Sequence, residues 1–139
     1  MVDADVLRRG TERVLHHCER LARRPALSAS LLRDDEDVRN TVLMDLQQAI
    51  QACIDLAARQ CVDDALGAPA SAAEAFALIA RHGLIDEVLA RRMTGAAGLR
   101  NLIVHQYGDI DLERVGCVLH PPVSRQACST PSTRAHRSR

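Results

Sequence analysis

The sequence predicts an all-α fold, a bundle of four to five helices, and three observations carry that expectation. The chain of 139 residues has the length of one domain, and its apolar fraction of 47% is ordinary for a protein with a buried core. It holds one Phe, one Tyr and no Trp, so the core must be built from Leu, Ile, Val and Ala, and no segment shows the β-branched and aromatic enrichment of strands. Its apolar residues also recur at helical spacing through most of the first 119 positions.

From about Asp5 to Arg24, Leu7, Val14, Cys18 and Leu21 mark one helical face, and Pro25 ends the segment. A Ser/Asp-rich stretch to Asp37 reads as a connection whose acids, Asp34 to Asp37, suit the positive end of the next helix. That helix has the clearest pattern: Val38, Val42, Leu46, Ala49, Ile50, Cys53, Ile54, Ala57 and Cys61 form one apolar stripe, closed by Gly67 and Pro69. Ser71 with Glu74 has the form of a capping box and opens a short helix through Phe76 and Ile79 that Gly83 stops. A fourth helix is expected from near Asp86 to Tyr107, bent or loosened at Gly95 and Gly98. Asp109 or Asp111 can cap a last segment, Leu112 to Leu119.

After His120 the chain turns rich in Pro, Ser, Thr and Arg, which cannot bury enough apolar surface to offset its ordering entropy. A helical domain over 1–119 followed by a disordered tail over 120–139 is therefore expected. All 18 basic residues are Arg, balanced by 18 acids, but the tail holds four Arg and no acid, so the body carries a net charge of −4. Five cysteines without a C-x-x-C pair, and an N-terminus without a signal peptide, point to a reduced, cytoplasmic protein. No apolar run approaches the roughly 18 residues of a membrane span, so no membrane partner is expected.

One segment stands out for chemistry: Arg100-Asn101-Leu102-Ile103-Val104-His105-Gln106-Tyr107. At about 100° per residue, Leu99, Leu102 and Ile103 form a core-facing stripe, while Tyr107, Arg100, Asn101 and His105 share the remaining arc. Cutting RNA without a metal requires a base for the 2′-hydroxyl proton, an acid for the leaving 5′-oxygen and a fixed cation for the phosphate oxygens. An imidazole, which His105 supplies, can serve as base or acid, though one ring cannot be both at one instant. The planar fork of Arg100 matches two phosphate oxygens. Asn101, one turn before His105, can orient the imidazole or donate to phosphate.

These residues, with Asp109-Ile110-Asp111 after them, resemble the Arg-x4-His-x-Tyr signature of HepT toxins in the HEPN superfamily. The likeness extends upstream through Ala52-Cys53-Ile54-Asp55 and Leu84-Ile85 and covers roughly residues 5 to 119. It implies an antiparallel helical bundle that forms a homodimer, whose two motif helices line a cleft for metal-independent RNA cleavage, with no cofactor. It also implies that Arg100 and His105 are the catalytic pair, and that a MntA-type minimal nucleotidyltransferase antitoxin attaches AMP to Tyr107. Negative phosphate beside Arg100 would then compete with RNA for the cation. The family continues with a long final amphipathic helix, whereas this chain turns to Pro121-Pro122 and a Ser/Arg-rich run, so the last helix is expected to be truncated and a strip of the long helix uncovered.

Other residues carry plainer expectations. The adjacent His16 and His17 point to different sides of a helix and do not make a metal site. Cys53 and Cys61 are expected as small core residues, and Arg23-Arg24 and Arg91-Arg92 as solvated surface. The alternatives to a nuclease are a non-catalytic helical module that binds a nucleotide or RNA end on the same face, and a protein whose purpose is to occupy its nucleotidyltransferase partner.

Overall fold

The computed structural model describes residues 3–24 and 27–119, the side chains of Tyr107, Cys117 and Val118 excepted, and every regular element among them is helical. α1 (Ala4–Ala22) starts where the Asp3 carboxylate accepts from the Asp5 amide. α2 (Ala29–Asp34) is a six-residue helix inside the stretch expected as a connection, capped by Ser28 Oγ accepting from the Leu31 amide at 3.1 Å. Its brevity hides it from periodicity, yet it delivers Leu32 to the core with no exposure at all.

α3 (Glu36–Asp63) runs 28 residues, with Asp35 as the capping acid: its Oδ1 accepts from the Val38 amide at 3.0 Å. At its C-terminus the Leu66 amide donates to the Cys61 carbonyl and the Ala65 amide to the Val62 carbonyl, a Schellman closure with Ala65 in the left-handed region at φ 53°. α4 (Ala72–Arg81) opens on Ser71, whose Oγ accepts from the Glu74 amide. The Glu74 carboxylate reaches back to the Ala70 amide, one residue beyond the usual capping box. Gly83, at φ 74°, closes α4 with the same Schellman pattern. α5 (Glu87–His105) is capped by Asp86, and α6 (Leu112–Leu119) by Asp111, whose Oδ1 accepts from the Glu113 amide at 3.0 Å.

α3 is the spine, with α1, α2, α4 and α5 all packed against it. The early residues Val42, Leu43 and Leu46 of α3 share a core cluster with Leu99 and Ile103, near the end of α5. The late residues Ile54, Ala57 and Cys61 share the other with Phe76, Ile79 and Ala90. α3 and α5 therefore run antiparallel. α1 is likewise antiparallel to α3: Gly10 crosses at Leu56, and His17 and Arg20 meet Asp45. A Cβ on Gly10 would lie 2.9 Å from Leu56 Cγ, so the glycine sets how closely the two helices approach.

The expected all-α bundle is thus the fold, with α2 as the added element. α1 is less buried than its periodicity predicts. None of its residues is buried, and Leu7 and Cys18 are exposed. No helix among the described residues is long and apolar enough to cross a membrane. Residues 120–139, expected as a disordered tail, lie outside the described residues.

Candidate active site

α5 carries the candidate chemistry because its two faces differ. Leu99 and Ile103, each 2% exposed, fix its register against Val42, Leu43 and Leu46 of α3. The opposite side is open at Arg91, Thr94, Gly98, Asn101 and His105, five exposed positions spaced three and four apart over about 21 Å of helix. Gly95 and Gly98 were expected to bend or loosen the helix, but α5 is continuous through both. A Cβ at either would meet nothing within 4 Å, so packing within this chain does not require glycine there.

Arg100 sits beside the buried Leu99 and is itself half-buried. Its Nε is shut off from solvent and has no hydrogen-bond partner, and among the described residues no carboxylate pairs with its guanidinium. Other arginines show the contrast: Arg8 and Arg9 hold Asp5, Arg33 holds Glu113 at 3.1 Å and Arg59 holds Asp63 at 2.7 Å. An N–H withdrawn from water and left without an acceptor costs free energy, which sets Arg100 apart from those ion-paired arginines.

His105 is the last residue of α5 and is exposed, five residues and about 7.5 Å of helix rise beyond Arg100. Asn101 is exposed one turn before it. The sequence therefore brings Arg100, Asn101 and His105 onto one helix, with His105 exposed and, among the described residues, no carboxylate at the Arg100 guanidinium.

Tyr107 is placed differently from the helical-wheel expectation. Gln106 leaves the helix at φ −132° and ψ 41°, its amide closing on the Leu102 carbonyl at 2.8 Å, and Tyr107 opens a separate 3-10 turn, Tyr107–Asp109. The angular argument that set Tyr107 on the face of Arg100 stops at His105. One residue separates the turn from the end of α5, so the Tyr107 backbone stays close to His105.

Sequence reasoning missed a second polar cluster. Asp45, 2% exposed, is the one buried charged residue among those described. It lies between His17 Nδ1, 2.9 Å from its Oδ1, and Arg20 Nε, 3.1 and 3.2 Å from its two oxygens. The available signal was an acid inside the apolar run Val42-Leu43-Met44-Asp45-Leu46, which a helix tolerates in its core only with partners. Cys61 is fully buried as expected, its thiol directed at the Ala75 carbonyl, and Cys53 is half-buried.

A helical bundle with Arg100 and, five residues on, the terminal His105 on one helix agrees with the HEPN resemblance of the sequence. The chain belongs to the ribonuclease HepT-like family, whose model matches residues 14–121. It is 34% identical over 86 residues to the mRNA nuclease HepT of Shewanella oneidensis, a match covering 62% of this chain and 65% of that protein's length. Among solved structures it is similar to a tri-AMPylated Shewanella oneidensis HEPN toxin in complex with an MNT antitoxin: TM-score 0.77, 26% identity, 86% of this chain and 90% of that one. A toxin–antitoxin complex with AMP-PNP has the same TM-score and identity over 84% of this chain and 88% of that one. A MntA–HpeT toxin–antitoxin complex carrying a tyrosine-to-alanine substitution follows at a TM-score of 0.74 and 26% identity, over the same shares.

Proposed function

We propose that this chain is a metal-independent endoribonuclease toxin of the cytoplasm, working as a homodimer and silenced when a MntA-like nucleotidyltransferase antitoxin adenylylates Tyr107. The observation that carries the reading is Arg100, a half-buried guanidinium with an orphaned Nε on the helix that ends in a solvent-facing His105. The functional unit is the helical domain over 1–119.

In the proposed reaction one imidazole takes the 2′-hydroxyl proton and the 2′-oxygen attacks phosphorus. The 5′-oxygen leaves with a proton from a second acid, giving a 2′,3′-cyclic phosphate and a 5′-hydroxyl. Arg100 offsets the charge that grows on the phosphate oxygens, and Asn101 orients the imidazole or donates to the same group. A dimer supplies both protonation states at once, one from each His105. The bare surface at Gly95 and Gly98 supports two α5 helices meeting closely along that face. Adenylylation adds phosphate negative charge close to the motif helix, where it competes with RNA for Arg100.

Two experiments test the reading. An RNA with a 2′-deoxy nucleotide at the cleaved position should resist cutting while the all-ribose strand yields a cyclic phosphate in excess chelator; equal cleavage of both rejects the mechanism. Incubation with the antitoxin and ATP should add AMP mass to the wild type and none to Tyr107→Phe, and a persisting increment removes Tyr107 from the account.

A further inference from the structure

Arg91 belongs to two surfaces at once. It is the first of the five exposed positions that lead along α5 to Asn101 and His105. It also lines a groove of about 370 Å³ between α4 and α5, together with Ala77, Ala80 and Arg81 of α4 and Glu87 and Ala90 of α5. The charges there are unbalanced. Two guanidiniums share the groove with one carboxylate, and among the described residues no carboxylate forms an ion pair with either. Arg8, Arg9, Arg33 and Arg59, by contrast, are all paired. The sequence keeps acids off the path as well. Residues 88–108 hold three arginines and no Asp or Glu, the longest acid-free run within 1–119, in a body whose net charge is −4.

We infer that Arg81 and Arg91 form a second phosphate site, which grips the backbone of a single RNA strand outside the phosphodiester that is cut. Two planar forks lining one groove match the paired acceptor oxygens of a phosphate, and the alanines between them leave room for it. A nucleic acid strand carries a negative charge at every nucleotide, so one ligand meets both the groove and His105, about 21 Å of helix rise away. A lone carboxylate of a protein has no such repeat. Contacts of this kind position the strand and do not read its bases, so the site is indifferent to sequence. In the proposed dimer, whose α5 helices meet at Gly95 and Gly98, the groove lies at the α4 edge of that face and receives the strand on its way to the imidazole. Residues 120–139 contain no Asp or Glu to fill it.

That the strand is RNA rests on the nuclease reading, so the test reads binding apart from cleavage. The full chain is titrated against a fluorescein-labelled RNA of about 12 nucleotides, within the size of known single-strand sites, with 2′-O-methyl groups blocking attack. Anisotropy gives Kd over a series of salt concentrations. Arg81→Ala and Arg91→Ala should each weaken binding about tenfold at low salt and flatten the slope of log Kd against log salt by about 0.7, the loss of one phosphate contact. Glu87→Gln should tighten binding, because it removes the one carboxylate in the groove. Arg8→Ala, the same loss of charge on α1, should leave Kd and slope unchanged. All four side chains are exposed, so the fold tolerates each change.

No binding by the wild type, an unchanged slope in Arg81→Ala and Arg91→Ala, or equal damage from Arg8→Ala overturns the inference. So does displacement of the labelled strand by polyglutamate as readily as by unlabelled RNA, because the groove would then belong to an acidic protein segment. If the strand binds with the expected dependence on Arg81 and Arg91 and its unmodified form is not cut, the second phosphate site stands and the nuclease reading fails.

Discussion

Replacing Asp45 by alanine should cost about 3 kcal/mol of stability, concentrated in the attachment of α1. Asp45 is 2% exposed and holds two α1 side chains, His17 with 18% of its side chain exposed and Arg20 with 47%. A sheltered hydrogen bond to a charged group contributes about 1.5–3 kcal/mol, which applies to His17. A pair with one half-exposed partner is screened and contributes under about 1 kcal/mol, which applies to Arg20. The expected order of loss is Asp45→Ala, then His17→Ala, then Arg20→Ala. In a domain of this size a loss of about 3 kcal/mol lowers Tm by roughly 10 °C. Urea unfolding followed by circular dichroism at 222 nm measures all three. The reasoning is refuted if Asp45→Ala loses less than about 1 kcal/mol, the scale of an exposed pair, or if Arg20→Ala costs as much as His17→Ala.

Further predictions concern the backbone, the core and the thiols. Ala65 occupies a left-handed position at φ 53°, so Ala65→Gly should raise stability by about 1 kcal/mol in the same urea assay, where Gly83→Ala, at φ 74°, should lower it by a similar amount. Leu99→Ala should lose about 2–5 kcal/mol, because Leu99 is 2% exposed and locks α5 to α3, and near-infrared or fluorescence probes are not needed to see it: thermal denaturation suffices. Burial pushes the Cys18, Cys53 and Cys61 thiols up from their ordinary range, so each stays protonated to higher pH than a free thiol. Fully buried Cys61 should be alkylated far more slowly than exposed Cys18, with both rates climbing as pH rises, by mass-spectrometric mapping of iodoacetamide labelling. Comparable rates at Cys61 and Cys18 would contradict the packing of α3 against α4.

The parts of the fold legible in the sequence are those fixed by local rules. The stripe from Val42 to Cys61 gave α3 because a spine helix repeats its apolar residues over many turns, and Ser71, Glu74, Asp86 and Asp111 marked helix starts because caps act within three or four residues. α2 was hidden because six residues are too few to show a period, so Leu31 and Leu32 read as part of a loop. The end of α5 was set two residues late, at Tyr107, because nothing in Gln106-Tyr107 breaks a helix as strongly as Gly108. The Asp45 cluster was invisible for a different reason. Its partners lie 25 and 28 residues away on α1, a pairing that the α1–α3 crossing at Gly10 makes and no local pattern announces. At the candidate site, Arg100 and His105 were readable as polar residues off the core stripe, whereas the orphaned Nε of Arg100 emerges only from the folded chain.

The most direct test of Arg100 and His105 as the reacting pair is single-turnover cleavage of a labelled RNA in excess chelator by wild type, Arg100→Ala and His105→Ala, each first matched for helical content. Loss of the proton-transferring imidazole should slow cleavage by about 10²–10⁴-fold. Loss of the guanidinium should slow it by about 10²–10³-fold, with folding intact in both variants. Cleavage at the wild-type rate by either well-folded variant would contradict the assignment.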